Sequence, residues 1–148
     1  MQITRRTALC GLLAGFCLLA MPAAADTTAG TTTRTVVYHI DDSDRAIPMI
    51  RSLGNHRRAD GDIRIIVVAL SAGVDFLVDG AADARGNRFD ALVDPLMLEG
   101  VEFRVCGNTL KSRGIDAATL LPDVQVVPSG VAEIARLQIE EHAAYIKP

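Results

Sequence analysis

Cysteine is scarce in this chain, with three in 148 residues, at positions 10, 17 and 106. Histidine is as rare, at 39, 56 and 142. Three dispersed histidines and a distant thiol match no metal-ligand spacing, which argues against a structural zinc. No cluster of lysine or arginine interrupts a chain of formal charge −3, so charge argues against nucleic acid as the partner. The glycine turns "SAGVD" and "PSG" are not phosphate loops. A Ser-His-Asp order, paired acids at catalytic spacing and internal repeats are missing too, and no motif calls for a cofactor.

The front of the chain reads as an export signal. Arg5 and Arg6 precede "ALCGLLAGFCLLAM", an apolar run too short to span a bilayer comfortably, and Ala23 and Ala25 are the small residues of a cleavage site before Asp26. The pair in "TRRTAL" resembles a twin-arginine signal. Phe16, between Gly15 and Cys17, spoils a lipoprotein reading. The expectation is a periplasmic protein cleaved after Ala25, with no membrane anchor thereafter. Loss of 25 residues, including two arginines and no acid, leaves 123 residues at net charge −5. That is the size of one ordinary domain. Cys10 and Cys17 leave with the signal. Cys106 then stands alone in a compartment where cysteines normally pair.

Residues 26–34, "DTTAGTTTR", form a polar lead-in without hydrophobic period. The β-branched runs "TVVYHI" (35–40), "DIRIIVVAL" (62–70), "VEFRV" (101–105) and "VQVVP" (124–128) predict four strands, with "VDFLV" (74–78) as a candidate fifth. Between the first two, Ala46, Met49, Ile50 and Leu53 share one helical face. Asp42, Ser43 or Asp44 caps it, and Gly54 with the basic "HRR" ends it. Phe89, Leu92, Val93 and Leu96 predict a second helix, kinked or restarted at Pro95. A short helix follows Cys106, capped by Asn108 or Thr109. The last helix starts near residue 130, with a stripe of Val131, Ala135, Ile139, His142, Ala143 and Ile146. Strands alternating with helices imply an α/β fold: a parallel sheet of four or five strands, covered by helices on both faces.

Cys106 ends the third strand, and open parallel sheets collect ligands beyond the carboxyl ends of their strands. The following helix turns its free N–H groups toward the thiol and favours a thiolate. Strand alternation puts Arg104 on the same side, and Lys111 and Arg113 add positive potential. Gly107 is expected to leave open space for a ligand. Against this stands the ordinary role of a lone cysteine as a small buried hydrophobe. His39, near the end of the first strand, either faces the same crevice as a proton acceptor or hydrogen-bond donor, or is satisfied by Asp41 and Asp42. His142 reads as packing on the last helix and His56 as part of an exposed basic helix end.

From about Thr35 to Pro148 the chain resembles the DsrE/DsrF-like family of small α/β proteins associated with sulfur relay. The matching pieces are "VVYHIDD", "IRIIVVAL", "GVEFRVCGNTL", "LPDVQVVPSGVAEIARLQ" and "YIKP". The resemblance implies a flavodoxin-like sheet in a domain over 35–148, homo-oligomers built through helix faces, and a cysteine that carries sulfane sulfur as a persulfide. That cysteine maps onto Cys106, with Arg104, Gly107, Asn108 and His39 as the expected binding residues. A sulfur donor or acceptor protein, or a small thiol, is the implied partner. The rival expectation is a non-catalytic oligomeric module that binds a small ligand or a protein and buries Cys106.

Overall fold

The computed structural model describes residues 34–148. The export signal expected over 1–25 and nearly all of the lead-in lie outside the described residues.

Five parallel strands make one sheet: β1 (Thr35–Ile40), β2 (Arg64–Ala69), β3 (Glu102–Cys106), β4 (Gln125–Val127) and β5 (Ala144–Ile146). Their order across the sheet is β4-β3-β2-β1-β5. The chain steps outward from β1 to β4, then returns to the opposite edge, where β5 pairs with β1 through Val36–Ala144, Val37–Tyr145 and Tyr38–Ile146. Four strands fall where β-branched runs predict them. The fifth does not: "VDFLV" belongs to a 3-10 turn, Ser71–Leu77, which buries Val74, Phe76 and Leu77. An apolar run buried all round carries no period to separate strand from helix.

The helices are α1 (Ala46–Ala59), α2 (Asp90–Leu98), α3 (Gly107–Arg113) and α4 (Gly130–Glu140). A 3-10 turn leads into α1, its N–H at Asp44 bound by the Asp42 carboxylate. Gly54 lies inside α1, which runs on to its basic last turn of His56, Arg57 and Arg58. There Arg57 donates to the Gly61 and Ile63 carbonyls and holds the following loop. Helix α2 continues through Pro95 without restarting.

The two faces of the sheet differ. Alternation along each strand sends Val36, Tyr38, Ile40, Ile65, Val67, Ala69, Phe103 and Val105 to the first face. There they meet Met49 and Leu53 of α1, Val93 and Leu96 of α2, Leu110 of α3 and the 3-10 turn's Phe76. Phe76 packs edge-on against both Phe89 and Phe103. The second face has one helix, α4, and a much smaller apolar cluster of Val37, Ile66, Val68, Ile134, Leu137 and Ala143.

The expected stripe of the last helix is corrected by this packing. Gly130, Ile134 and Leu137 face the sheet, whereas Val131 is 66% and Ile139 74% exposed. The helix stops at Glu140, and His142 takes a left-handed turn (φ 52°) that reverses the chain into β5. The outward stripe and the strand residues beyond it happen to share a helical period, which sequence alone cannot separate.

Candidate functional site

Cys106 is the final residue of β3 and the residue that caps α3. Asn108 and Thr109, expected as caps, therefore lie within the first turn of α3. The thiol is on the second face, level with Val127 of β4. Only 6% of the residue is exposed. Helix α4 begins directly over it: a Cβ added at Gly130 would stand 3.0 Å from the Cys106 Cβ. Two helix N-termini thus converge on one sulfur. Ser129 secures the second of them by accepting from the Ala132 N–H.

Burial pushes the Cys106 thiol up. The Gly130 N–H, the Thr109 hydroxyl and the N–H groups of Thr109 and Asn108 more than offset it, and the thiol is held below its ordinary value. These donors sit at the starts of α3 and α4, where helix N–H groups favour an anion. Thr109 is fixed for the task, its Oγ1 accepting from the Ser71 N–H at 3.1 Å. Ser71 itself has φ +54° at the end of β2, a conformation uncommon for a residue with a side chain.

The other expected site residues are placed differently from one another. Arg104 lies on the same face, 7% exposed, but its guanidinium is engaged by Glu102 at 2.5 Å and by Glu133 of α4. Its Nε is buried with no partner among the described residues. No charged group ranks among the influences on the sulfur. The opening expected beside Gly107 is filled: a Cβ there would stand 3.1 Å from the Val127 carbonyl oxygen. This glycine permits the β4–α4 loop to approach. Asn108 is exposed, and its N–H donates to the Pro128 carbonyl at 3.2 Å. Arg113 is taken by Asp75 at 2.7 Å and by the Ser71 carbonyl at 2.9 Å.

His39 shares the second face but stands on β1, two strands from Cys106, roughly 10 Å at normal strand spacing. Its Nδ1 lies 2.7 Å from the Tyr145 hydroxyl of β5, so Tyr145, not Asp41 or Asp42, is its hydrogen-bond partner. Asp41 pairs instead with Lys147 at 2.6 Å. Burial draws His39 below the usual imidazole range, against a smaller upward pull from Asp41. His39 Nε2 is buried and unpartnered among the described residues. His56, expected to be exposed, is half-buried, its Nδ1 2.9 Å from the Tyr38 hydroxyl. His142 is exposed in its turn and does not pack on the helix.

Gly130 is the neighbour of Cys106 that local pattern does not reveal, and Thr109, expected as a cap, lies beside the thiol instead. "PSG" looked like a turn, and only strand order brings it over the thiol. A concavity of about 910 Å³ lies on the other face between α1 and the 81–92 segment, and Cys106 takes no part in it.

No protein among the curated sequences matches the chain. Solved structures do. A protein of unknown function, MTH1491 from Methanobacterium thermoautotrophicum, is 38% identical with a TM-score of 0.69, covering 78% of this chain and 99% of its own. The ychN protein of E. coli shares the fold at 16% identity and a TM-score of 0.64, with coverage of 78% and 99%. A conserved protein of unknown function, BT1422 from Bacteroides thetaiotaomicron, shares it at 12% identity and a TM-score of 0.57, with coverage of 83% and 100%. The DsrE/DsrF-like family model matches residues 18–148, and with strand, helix and thiol placed as above the chain belongs to the DsrE/DsrF-like family.

Proposed function

We propose that this protein is an exported, periplasmic persulfide carrier in which Cys106 accepts and passes on sulfane sulfur. The observation that carries the reading is the meeting of two helix N-termini on the one described thiol, whose acidity they raise. Membership of a family associated with sulfur relay supports the same chemistry.

In the first step the Cys106 thiolate attacks the outer sulfur of a donor persulfide. A new S–S bond forms at Cys106, the donor's S–S bond breaks, and the donor leaves as a thiolate. In the second step an acceptor thiolate attacks the outer sulfur on Cys106, which leaves as the original thiolate. The sulfur moves with its proton, and neither step consumes an oxidant or a reductant. The N–H groups of Gly130 and Thr109, with the Thr109 hydroxyl, stabilise the anion both before attack and on departure. Donor and acceptor are each a protein or a small thiol. Val131 and Ile139, exposed on α4, suit a second copy of the chain, so the carrier acts as a homo-oligomer. Arg104 and His39 support the site from the same face.

A Cys106→Ser chain should fold normally and lose persulfide labelling at the 106 peptide, read by mass spectrometry so that Cys10 and Cys17 are scored separately. Labelling that persists at that peptide in the parent chain only when it is denatured would defeat the proposal. The 6% exposure of Cys106 favours a second reading, a non-catalytic binding module with a structural cysteine. Protection of Cys106 from alkylation until denaturation supports that reading, and rapid alkylation at neutral pH supports the carrier.

A further inference from the structure

Below the thiol, the second face holds a closed ring of charge. Arg64 of β2 pairs with Glu102 of β3 at 2.7 Å, and Glu102 with Arg104 at 2.5 Å. Arg104 pairs with Glu133 of α4, Glu133 with Arg136 at 2.8 Å, and Arg136 with Glu141 at 2.8 Å. Glu141 returns to Arg64 at 2.6 Å and completes the circuit. Three arginines and three glutamates alternate, so each charge has an opposite neighbour on both sides. The Arg104 and Glu133 side chains, 9% and 12% exposed, form its most buried link.

This ring bears on the thiol through α4. The helix buries Gly130, Ile134 and Leu137 against the sheet, and its remaining links to the strands are ionic. Glu133, within α4, ties it to Arg104 of β3, and Glu141, at its end, ties it to Arg64 of β2, while Arg136 joins the two glutamates. Glu133 is one turn from Gly130, where an added Cβ would stand 3.0 Å from the Cys106 Cβ. We propose that the Arg/Glu ring is a positioning device for Cys106: it fixes how closely the N-terminus of α4 approaches the sulfur and so sets how readily the thiol ionises. This deepens the carrier reading and rests on it only for its use, because thiol acidity is measurable whether or not sulfur is transferred.

The charged groups around Cys106 are Arg104 on its own strand, Glu133 on α4, Lys111 and Arg113 on α3, Asp75 paired to Arg113, and His39 and Asp41 two strands away. Direct action of these charges and positioning by the ring predict opposite signs for one substitution. Removing the negative charge of Glu133 would ease ionisation of the thiol if charge acted directly on the sulfur. If the ring positions α4, the same change loosens the helix and makes ionisation harder.

The experiment is the pH dependence of iodoacetamide alkylation on the folded full chain, read at the 106 peptide by mass spectrometry. Glu133→Gln should move the midpoint up by about half a pH unit, the size of a helix-terminus effect on a neighbouring charge. Glu141→Gln, at the far end of α4, should move it in the same direction, which keeps the idea testable if Glu133→Gln fails to fold. Glu140→Gln is the control. Glu140 is 65% exposed and outside the closed circuit, 3.6 Å from Arg136, and the midpoint should not move. A midpoint that falls or stays fixed in Glu133→Gln and Glu141→Gln, or that rises equally in Glu140→Gln, overturns the proposal. Persulfide labelling of the parent chain tests the carrier reading separately.

Discussion

Replacing Gly130 with alanine tests the packing on which the thiol's setting depends. The added Cβ would stand 3.0 Å from the Cys106 Cβ, 3.1 Å from Leu70 Cδ2 and 3.4 Å from Val68 Cγ1. The Leu70 methyl is the end of a half-buried side chain and can turn away. Cys106 and Val68 are fixed in adjacent strands and cannot, so α4 must rise by a few tenths of an ångström. Overpacking of this kind costs about 1–3 kcal/mol. Alanine's helix preference returns at most about 1 kcal/mol, and less at a first helical position than in mid-helix. The net loss is about 1–2 kcal/mol, which lowers Tm by roughly 5 °C in a domain of this size. Circular dichroism melts measure it. The same rise draws the Gly130 N–H from the sulfur, so the alkylation midpoint of Cys106 should move up. A variant at least as stable as the parent, with an unchanged midpoint, would show that α4 does not bear on the thiol and would refute the reasoning.

Gly73→Ala should be worse tolerated, because its Cβ would lie 2.4 Å from the Ile40 carbonyl oxygen and 2.8 Å from the Asp41 N, both backbone atoms. The expected loss is at least about 3 kcal/mol, measured as the urea midpoint, and a near-parental midpoint contradicts the close approach of the 3-10 turn to β1. Acid should act through the ring. Hydrogen bonds from Arg136 hold Glu133 below its ordinary 4.5, and burial raises Glu102 but is outweighed by Arg64 and Arg104. Both carboxyls are depressed in the folded state, so their stabilisation is complete above pH 4.5 and drains away as pH falls through the folded values. Urea titrations of the parent and of Glu133→Gln should therefore converge below pH 4.5, and a gap that stays constant with pH would speak against the ion pairs.

What the sequence made legible was what local pattern controls. The run "TVVYHI" coincides with β1 because five of its six residues are apolar or β-branched, and a run buried almost throughout needs no distant information to be a strand. Met49 and Leu53 face the core because a helical period repeats over several turns in α1. Strand β5 was hidden for the opposite reason: three residues, two of them exposed, stabilised only by pairing with β1. The site was half visible. Cys106 at a strand end could be read from "VCGN", but the second helix terminus came from Gly130, 24 positions on, and no local signal joins the two. Arg104 pointed to the correct face and to a different task. Its Glu133 partner looks, in sequence, like one more solvated acid on a helix.

The two faces of the sheet divide the work of holding the fold and of surrounding the thiol. The first face holds most of the core, including Phe76 and Phe103, each burying an aromatic ring of the kind that dominates core energetics. Stability is therefore secured away from the site. The second face has little apolar surface under its single helix: Val37, Ile66 and Val68 meet Ile134, Leu137 and Ala143. Charge pairs are directional in a way that methyl contacts are not. A circuit that closes only when Glu133 meets Arg104 and Glu141 meets Arg64 favours the register in which Gly130 falls against Cys106. A hydrophobic replacement of the whole ring would then be expected to leave the fold standing and even to stabilise it. What it would lose is the fixed distance between a helix terminus and a sulfur atom.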